Sequence, residues 1–148
     1  MTGAILDTSG LLCNHGIIVS VLWEDLQGVE NLSINNSVRK DFEVGAGKEA
    51  MRTYRTTLES QSAGFDLRYL LAILNSAFGK SYLILVRRSQ VGFYPDDLKQ
   101  LPIKRISLPA QQAFIDKVTA LNAPQITINA KNELIEKLNN MVDALYAV

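Results

Sequence analysis

The chain has 148 residues, 47% of them apolar and 20% charged, and its 15 basic and 15 acidic side chains cancel. This balance is typical of one globular domain with a real core and excludes disorder over the whole length. The single cysteine, Cys13, excludes an internal disulfide. There is no basic, apolar secretory leader and no apolar run near ~20 residues, which predicts a cytoplasmic protein with no membrane partner.

The first predicted elements are strands. Within residues 11–23 the apolar side chains Ile17, Val19 and Val21 recur at every second position. This period predicts one long strand or two short ones. Residues 31–36 also alternate between polar and apolar side chains, which indicates a further short strand.

A helix is predicted over residues 48–59, because apolar side chains recur there at i, i+3 and i+7. These side chains are Met51, Tyr54 and Leu58. Arg52 and Arg55 would lie together on a different face of the helix. Residues 60–64 are predicted to form a loop.

Asp66 is a suitable N-cap for the next helix. Its apolar stripe is formed by Leu67, Leu70, Leu71, Leu74 and Phe78. The helix either ends at Gly79 or continues through Leu85. Residues 91–94 are predicted to be extended, and Pro95 then begins a short helix that must end before Pro102.

Two helices are predicted at the C-terminal end. The first begins at Ser107 or Leu108, and the second runs from about residue 129 onward with a narrow apolar seam of Leu134, Leu138, Met141 and Leu145. Because the strands come early and the helices late, we expect an α+β fold in a single domain, residues 1–148. Residues 1–106 would form a small β-rich recognition lobe packed on helices, and residues 107–148 a helical pair.

Three short patterns could carry chemistry, and each has a simpler structural interpretation. Residues 45–49, GAGKE, lack the first glycine and the final hydroxyl of a phosphate-binding loop. Cys13 and His15 lack the further groups that a catalytic pair or a zinc site needs. Asp96 and Asp97 could belong to a diverged nuclease site, but helix capping explains them with fewer assumptions.

Basic residues are the remaining candidates. Residues 44–105 carry ten bases against five acids, whereas residues 1–43 carry two bases against six acids. A basic middle section is compatible with a polyanionic partner such as nucleic acid. From these counts alone, a solvated surface of mixed charge is an equally good interpretation.

Four stretches resemble a known family when they are taken together in their order and spacing. The chain resembles the C-terminal target-recognition domain of Taq-like type IIG restriction–modification methylases, and it is similar to type I restriction specificity-subunit domains. The stretches that carry this resemblance are Tyr69–Ser76, Leu98–Ile103, Gln112–Val118 and Met141–Val148. The Asn-Pro-Pro-Tyr motif of the methyltransferase and a glycine-rich cofactor site are absent from the sequence.

The resemblance implies sequence-specific recognition of double-stranded DNA without catalysis by this chain. S-adenosylmethionine and Mg²⁺ would be needed only by an associated methyltransferase or endonuclease domain or subunit. The terminal helix would dock to that partner or to a second copy through Leu134, Leu138, Met141 and Leu145. The DNA-contact candidates are Arg39, Lys40, Arg52, Arg55, Lys80, Arg87 and Arg88.

Two alternatives remain open at the level of the sequence. The C-terminal helices could form a protein-interaction or assembly module that does not bind DNA. Alternatively, the chain could be a diverged nuclease fragment that uses Asp96 and Asp97. Binding of duplex DNA with a steep salt dependence would separate the first alternative from the DNA-recognition hypothesis.

Overall fold

A computed structural model describes residues 4–7, 17–40, 47–88 and 93–147. All regular structure in these ranges is helical, and it begins with a single 3-10 turn, Glu24–Leu26. The α-helices that follow are α1 (Leu32–Lys40), α2 (Lys48–Ser62), α3 (Leu67–Asn75), α4 (Ala77–Val86), α5 (Pro95–Leu98), α6 (Leu108–Leu121) and α7 (Ile128–Tyr146).

The chain divides into two compact units. The smaller unit is Ser20–Gly64, and it contains the 3-10 turn, α1 and α2. The larger unit combines Met1–Val19 with Phe65–Val148, and it contains α3 to α7.

The predicted α+β fold with a β-rich lobe is wrong, because no residue within the described ranges lies in a strand. The alternating side chains of residues 17–21 remain largely exposed, with Val19 at 65%. A strand needs a partner that covers its hydrogen-bonding edge and one of its faces, and the alternation cannot supply one. Residues 11–16 of the first predicted strand lie outside the described residues.

The second predicted strand is also wrong, because residues 31–36 enter α1. The Asn31 side chain accepts a hydrogen bond from the Ile34 backbone N–H at 2.9 Å and thereby caps the helix. Ile34 is half-buried and Val38, one turn later, is buried. The Asn31 cap and the apolar pair Ile34 and Val38 therefore favour a helix more strongly than the short alternation favours a strand.

In the smaller unit, α2 confirms the predicted helix and continues it to Ser62. The predicted apolar face of Met51, Tyr54 and Leu58 is half-buried. The Ser62 hydroxyl accepts a hydrogen bond from the Glu24 backbone N–H at 2.7 Å, which ties the end of α2 to the 3-10 turn.

In the larger unit, α3 supplies the centre of the core. Tyr69 and Ile73 on α3 are fully buried, and they belong to one apolar cluster with Phe114 and Val118 of α6 and Val142 of α7. Burial of each large apolar side chain contributes about 1.5–3 kcal/mol to the free energy of unfolding.

Side-chain caps fix where the helices of this unit begin. Asp66 accepts a hydrogen bond from the Arg68 backbone N–H at 2.7 Å, as the sequence predicted. Ser107 and Thr127 cap α6 and α7 in the same way. The Arg68 side chain also donates to the Asp66 carboxylate, and this hydrogen bond is the main cause that lowers the pKa of Asp66.

Two tyrosines hold the extended segment between α5 and α6 against the core. The Tyr69 hydroxyl donates to the carbonyl oxygen of Lys104 at 2.6 Å. The Tyr146 hydroxyl donates to the carbonyl oxygen of Pro102 at 2.5 Å and accepts from the Lys104 backbone N–H at 3.1 Å. These bonds satisfy backbone groups that no sheet or helix satisfies in this segment.

Gln111, at the start of α6, links the segment to α3. Its fully buried side-chain amide donates to the carbonyl oxygen of Ile106 at 3.0 Å and accepts from the Asp66 backbone N–H at 2.9 Å. One amide group therefore joins the first turns of α3 and α6.

Within the described ranges no single helix is long and apolar enough to cross a membrane. Taken together, α3 and α4 have the required length and apolar composition, but a 71° bend separates them.

Alkaline pH should test the role of the Tyr69 hydroxyl. Burial, and next the neighbouring Tyr146, raises the pKa of Tyr69 from 10.0 to about 12. The folded state therefore favours the neutral hydroxyl. The stability that depends on neutral Tyr69 is fully present below pH 10 and is lost as the pH rises toward 12. We expect wild type to lose about 2–3 kcal/mol of unfolding free energy over that interval relative to Tyr69→Phe.

The measurement is urea unfolding from pH 7 to pH 12. At neutral pH, Tyr69→Phe should be less stable by about 1 kcal/mol because the hydrogen bond to Lys104 is lost. Tyr94→Phe is the control, because the Tyr94 side chain is exposed, and it should follow wild type. Equal alkaline loss in Tyr69→Phe and wild type would contradict the assignment.

Candidate nucleic-acid interface

The position of α4 is set by a sharp break after α3. Ser76 is buried, its hydroxyl donates to the carbonyl oxygen of Ile73 at 2.7 Å, and the same hydroxyl accepts from the Gly79 backbone N–H at 3.0 Å. The serine thus ends one helix and caps the next. A Cβ atom at Gly79 would overlap the carbonyl oxygen of Ile73, so the close approach of the two helices requires glycine there.

The inner face of α4 packs against the C-terminal helix. The Phe78 ring stacks on the Tyr146 ring, with centroids 4.1 Å apart and an interplanar angle of 17°. The Asn139 side chain accepts a hydrogen bond from the Ala77 backbone N–H at 2.9 Å. Leu83 is buried in the shared core. These contacts fix the rotation of α4 about its axis and thereby decide which side chains face solvent.

The outer side of α4 combines cations with exposed apolar groups. Ile84 is 55% exposed and Leu85 is 83% exposed. Lys80 lies one turn before Ile84 and is exposed, and Arg87 and Arg88 follow the last residue of the helix. We call these five residues the α4 face. Of the seven predicted DNA-contact residues, one therefore lies on α4 and two directly follow it, and the ten residues of this helix span about 15 Å.

Acidic groups lie at one end of the α4 face. The Arg88 guanidinium lies 3.9 Å from the Asp96 carboxylate and 3.7 Å from that of Asp97, through Nη2 and Nε respectively. The Arg88 side chain remains 63% exposed. Two cations immediately after a helix C-terminus are also favoured by the helix dipole.

The other four predicted DNA-contact residues lie in the smaller unit. Arg39 and Lys40 occupy the last turn of α1, and both are exposed. Arg52 is exposed on α2. Arg55 differs, because its guanidinium is largely buried and used within the fold.

The Arg55 guanidinium links α2 to the chain that follows the 3-10 turn. Nη2 donates to the carbonyl oxygens of Leu26 and Val29 at 2.8 and 2.9 Å, and Nε donates to the Glu59 carboxylate at 2.8 Å. This set of contacts makes Arg55 a structural residue of the smaller unit. Its spacing from Arg52 in the sequence could not distinguish the two roles.

The predicted docking seam of α7 is partly used inside the chain. Leu138 is buried in the core cluster, and Met141 and Leu145 pack against that cluster. Leu134 is half-buried and lines an open depression next to Pro124. The seam therefore packs on helices of its own unit, which is one of the alternatives that its narrow spacing allowed.

Two of the three patterns that could carry chemistry lie wholly or partly outside the described residues. Cys13, His15 and residues 45–46 of the GAGKE stretch lie outside the described residues. Asp97 is fully buried, and its carboxylate accepts a hydrogen bond from the Tyr94 backbone N–H at 2.9 Å. No three His, Cys, Asp or Glu side chains lie close enough to hold a metal ion in the part of the chain that the structure describes.

Sequence reasoning missed a contact at the end of α3. The Asn75 side-chain amide donates to the carbonyl oxygen of Ala4 at 2.8 Å and accepts from the Ala4 backbone N–H at 2.9 Å. The Ala4–Leu6 segment then lines a cavity of about 300 Å³ together with Lys80. An Asn at a helix end gives no signal for a contact to a residue so distant in sequence.

The four stretches that carry the family resemblance lie in the larger unit, where their described residues contact one another. Tyr69 of the first stretch contacts Phe114 of the third, edge to face with ring centroids 5.2 Å apart. Tyr146 of the fourth binds the Pro102 carbonyl of the second. In comparisons with known proteins, no family model, no curated protein and no solved structure matches the chain.

Substitution of Gly79 should test the close approach of α3 and α4. We expect Gly79→Ala to lower the free energy of unfolding by about 2–3 kcal/mol, because the added methyl group meets backbone that cannot move aside. Thermal unfolding followed by circular dichroism measures the change. Gly47→Ala is the matched control, since open space surrounds Gly47. A similar loss of stability in both variants would contradict the assignment.

Arg52 and Arg55 offer a second matched pair on α2. Arg55→Ala should destabilise the smaller unit by about 1–2 kcal/mol, because the Leu26 and Val29 carbonyls lose their charged donor. Arg52→Ala should change stability by less than about 0.5 kcal/mol. Urea unfolding followed by Trp23 fluorescence reports on this unit, because Trp23 is the only tryptophan. Equal stability of the two variants would exclude the structural role of Arg55.

Proposed function

We propose that this chain is a DNA target-recognition module without catalysis of its own, and that it serves an associated methyltransferase or endonuclease. The observation that carries the proposal is the α4 face, where Lys80, Arg87 and Arg88 lie beside the exposed Ile84 and Leu85. The resemblance to target-recognition domains of type IIG methylases and type I specificity subunits supplies the biological setting.

The chemistry of the α4 face suits a DNA duplex. Lysine and arginine bind phosphate oxygens, and arginine can also bind the guanine edge through two hydrogen bonds. Exposed aliphatic side chains such as Ile84 and Leu85 can contact the methyl group of thymine. An α-helix fits into the major groove, which is about 12 Å wide. A helix with cations at both ends and apolar groups between them can therefore make phosphate contacts, which position the protein, and base contacts, which read the DNA sequence.

Further phosphate contacts would come from the smaller unit. Arg39, Lys40 and Arg52 are exposed there, and phosphate contacts fix the register of a protein on DNA without reading its sequence. Arg55 would contribute indirectly, by holding α2 to the preceding chain. S-adenosylmethionine and Mg²⁺ would be bound by the associated catalytic domain or subunit.

Docking to that catalytic partner would use the C-terminal helices. Leu138, Met141 and Leu145 belong to or pack on the core, so a partner would meet the half-buried Leu134 and the exposed Ile128 and Ile135 of α7. The same exposed isoleucines favour the second candidate function, an assembly module that self-associates through α7 and does not bind DNA. Sedimentation velocity tests this second candidate. Self-association of wild type that is lost in the Ile128→Ser, Ile135→Ser variant would assign it to α7.

Fluorescence anisotropy with mixed-sequence duplex DNA tests the proposal over a series of salt concentrations. We expect log K to fall steeply with log salt, by about 0.9 for each phosphate contact. Lys80→Ala with Arg88→Ala should weaken binding at least about ten-fold and reduce the salt slope by about two.

The control is Lys131→Ala with Lys137→Ala, which removes the same net charge from exposed positions on α7. Its affinity should fall much less than that of the α4 variant. Equal weakening in the two double variants would assign binding to net charge rather than to the α4 face. Absence of binding at about 50 mM salt would exclude DNA binding by this chain.

A further inference from the structure

Arg88 lies within ion-pair distance of a carboxylate that is itself buried. Asp97 is fully buried at the third position of α5, and its Oδ2 accepts the Tyr94 backbone N–H at 2.9 Å. Its other oxygen, Oδ1, accepts no hydrogen bond from any described residue, and the Arg88 Nε lies 3.7 Å from it. A buried carboxylate oxygen without a hydrogen bond is unfavourable, so a nearby guanidinium is strongly attracted to it.

The contacts of Arg88 engage a single edge of its guanidinium. Nε faces Asp97 and Nη2 faces Asp96, and these two nitrogens form one side of the planar group. Nη1 lies on the other side of the planar group. A guanidinium attracted along one edge has its remaining donors biased toward one direction, and a pre-oriented planar fork binds phosphate better than a freely rotating one.

We propose that Asp97 is a positioning residue for DNA binding, which orients the Arg88 guanidinium so that its outer donors meet a phosphate of the duplex. The inference rests on the proposed function. Asp97 itself would not touch DNA, because no part of it is exposed. Asp96 differs, since its side chain is 60% exposed and also lies 3.8 Å from Lys99.

Asp97→Asn and Asp96→Asn each remove one negative charge, so comparing them separates the positioning of Arg88 from the repulsion of DNA by a carboxylate. If Asp97 orients Arg88, Asp97→Asn should weaken DNA binding by about five-fold, because a neutral amide holds the guanidinium less firmly. Asp96→Asn removes an exposed negative charge near the DNA, so it should strengthen binding by about two-fold. Fluorescence anisotropy at one salt concentration gives both affinities, and circular dichroism checks that each variant is folded.

A double-mutant cycle then tests whether Asp97 acts through Arg88. Arg88→Lys keeps the positive charge but has no Nε donor, and its exposed position makes unfolding of this variant a negligible concern. In the Arg88→Lys background, Asp97→Asn should cause no further loss of affinity. An equal loss of affinity on Asp97→Asn in the wild-type and Arg88→Lys backgrounds would overturn the proposal.

The orientation of Arg88 can also be measured without DNA. The Arg88 Nε–Hε signal in a ¹⁵N-resolved NMR spectrum should exchange more slowly with water in wild type than in Asp97→Asn, and Asp96→Asn should resemble wild type. Stronger DNA binding in both aspartate variants, or an unchanged Nε–Hε exchange rate in Asp97→Asn, would overturn the positioning role alone. Failure of wild type to bind any duplex would overturn the proposed function and this inference together.

Discussion

The fully buried side chain of Tyr69 joins three parts of the larger unit. Its ring contacts Phe114 on α6, and its hydroxyl binds the Lys104 carbonyl in the extended segment. A tyrosine can do both because its apolar body packs in a core while its polar tip satisfies a buried backbone group. The hydroxyl thereby satisfies a backbone carbonyl that neither a helix nor a sheet satisfies, and this hydrogen bond stabilises the packing of the helices around the extended segment.

The position of the α4 face follows from this core. With α3 fixed by Tyr69, the buried Ser76 and the close approach at Gly79 turn α4 away through 71°. Stacking of Phe78 on Tyr146 then decides which side of α4 is covered. Lys80, Ile84 and Leu85 face solvent as a consequence of packing on the opposite side of the helix. The candidate interface is thus built by the scaffold rather than by a motif of its own.

Local signals predicted most helices of the larger unit, because those signals act over a few residues. The break at Ser76 was not predicted, since the apolar stripe indicated one helix that ends at Gly79 or continues through Leu85. Asp66 caps α3 and Pro95 begins α5, as expected from the sequence. The strand predictions failed where the signal depended on a partner. The alternation in residues 17–21 is compatible with an exposed extended chain, and only a neighbouring strand could have made it part of a sheet.

The sequence by itself determined the starts of α2, α3, α5 and α6, several apolar faces and the list of basic side chains, because caps and periodicity are short-range properties. Only the tertiary structure decided which cations face solvent. Arg52 and Arg55 look alike in sequence, yet backbone carbonyls from another segment draw Arg55 inward. Asp97 likewise looks like an ordinary helix cap, and only packing buries it beside Arg88. These roles depend on contacts between residues distant in sequence, which periodicity cannot encode.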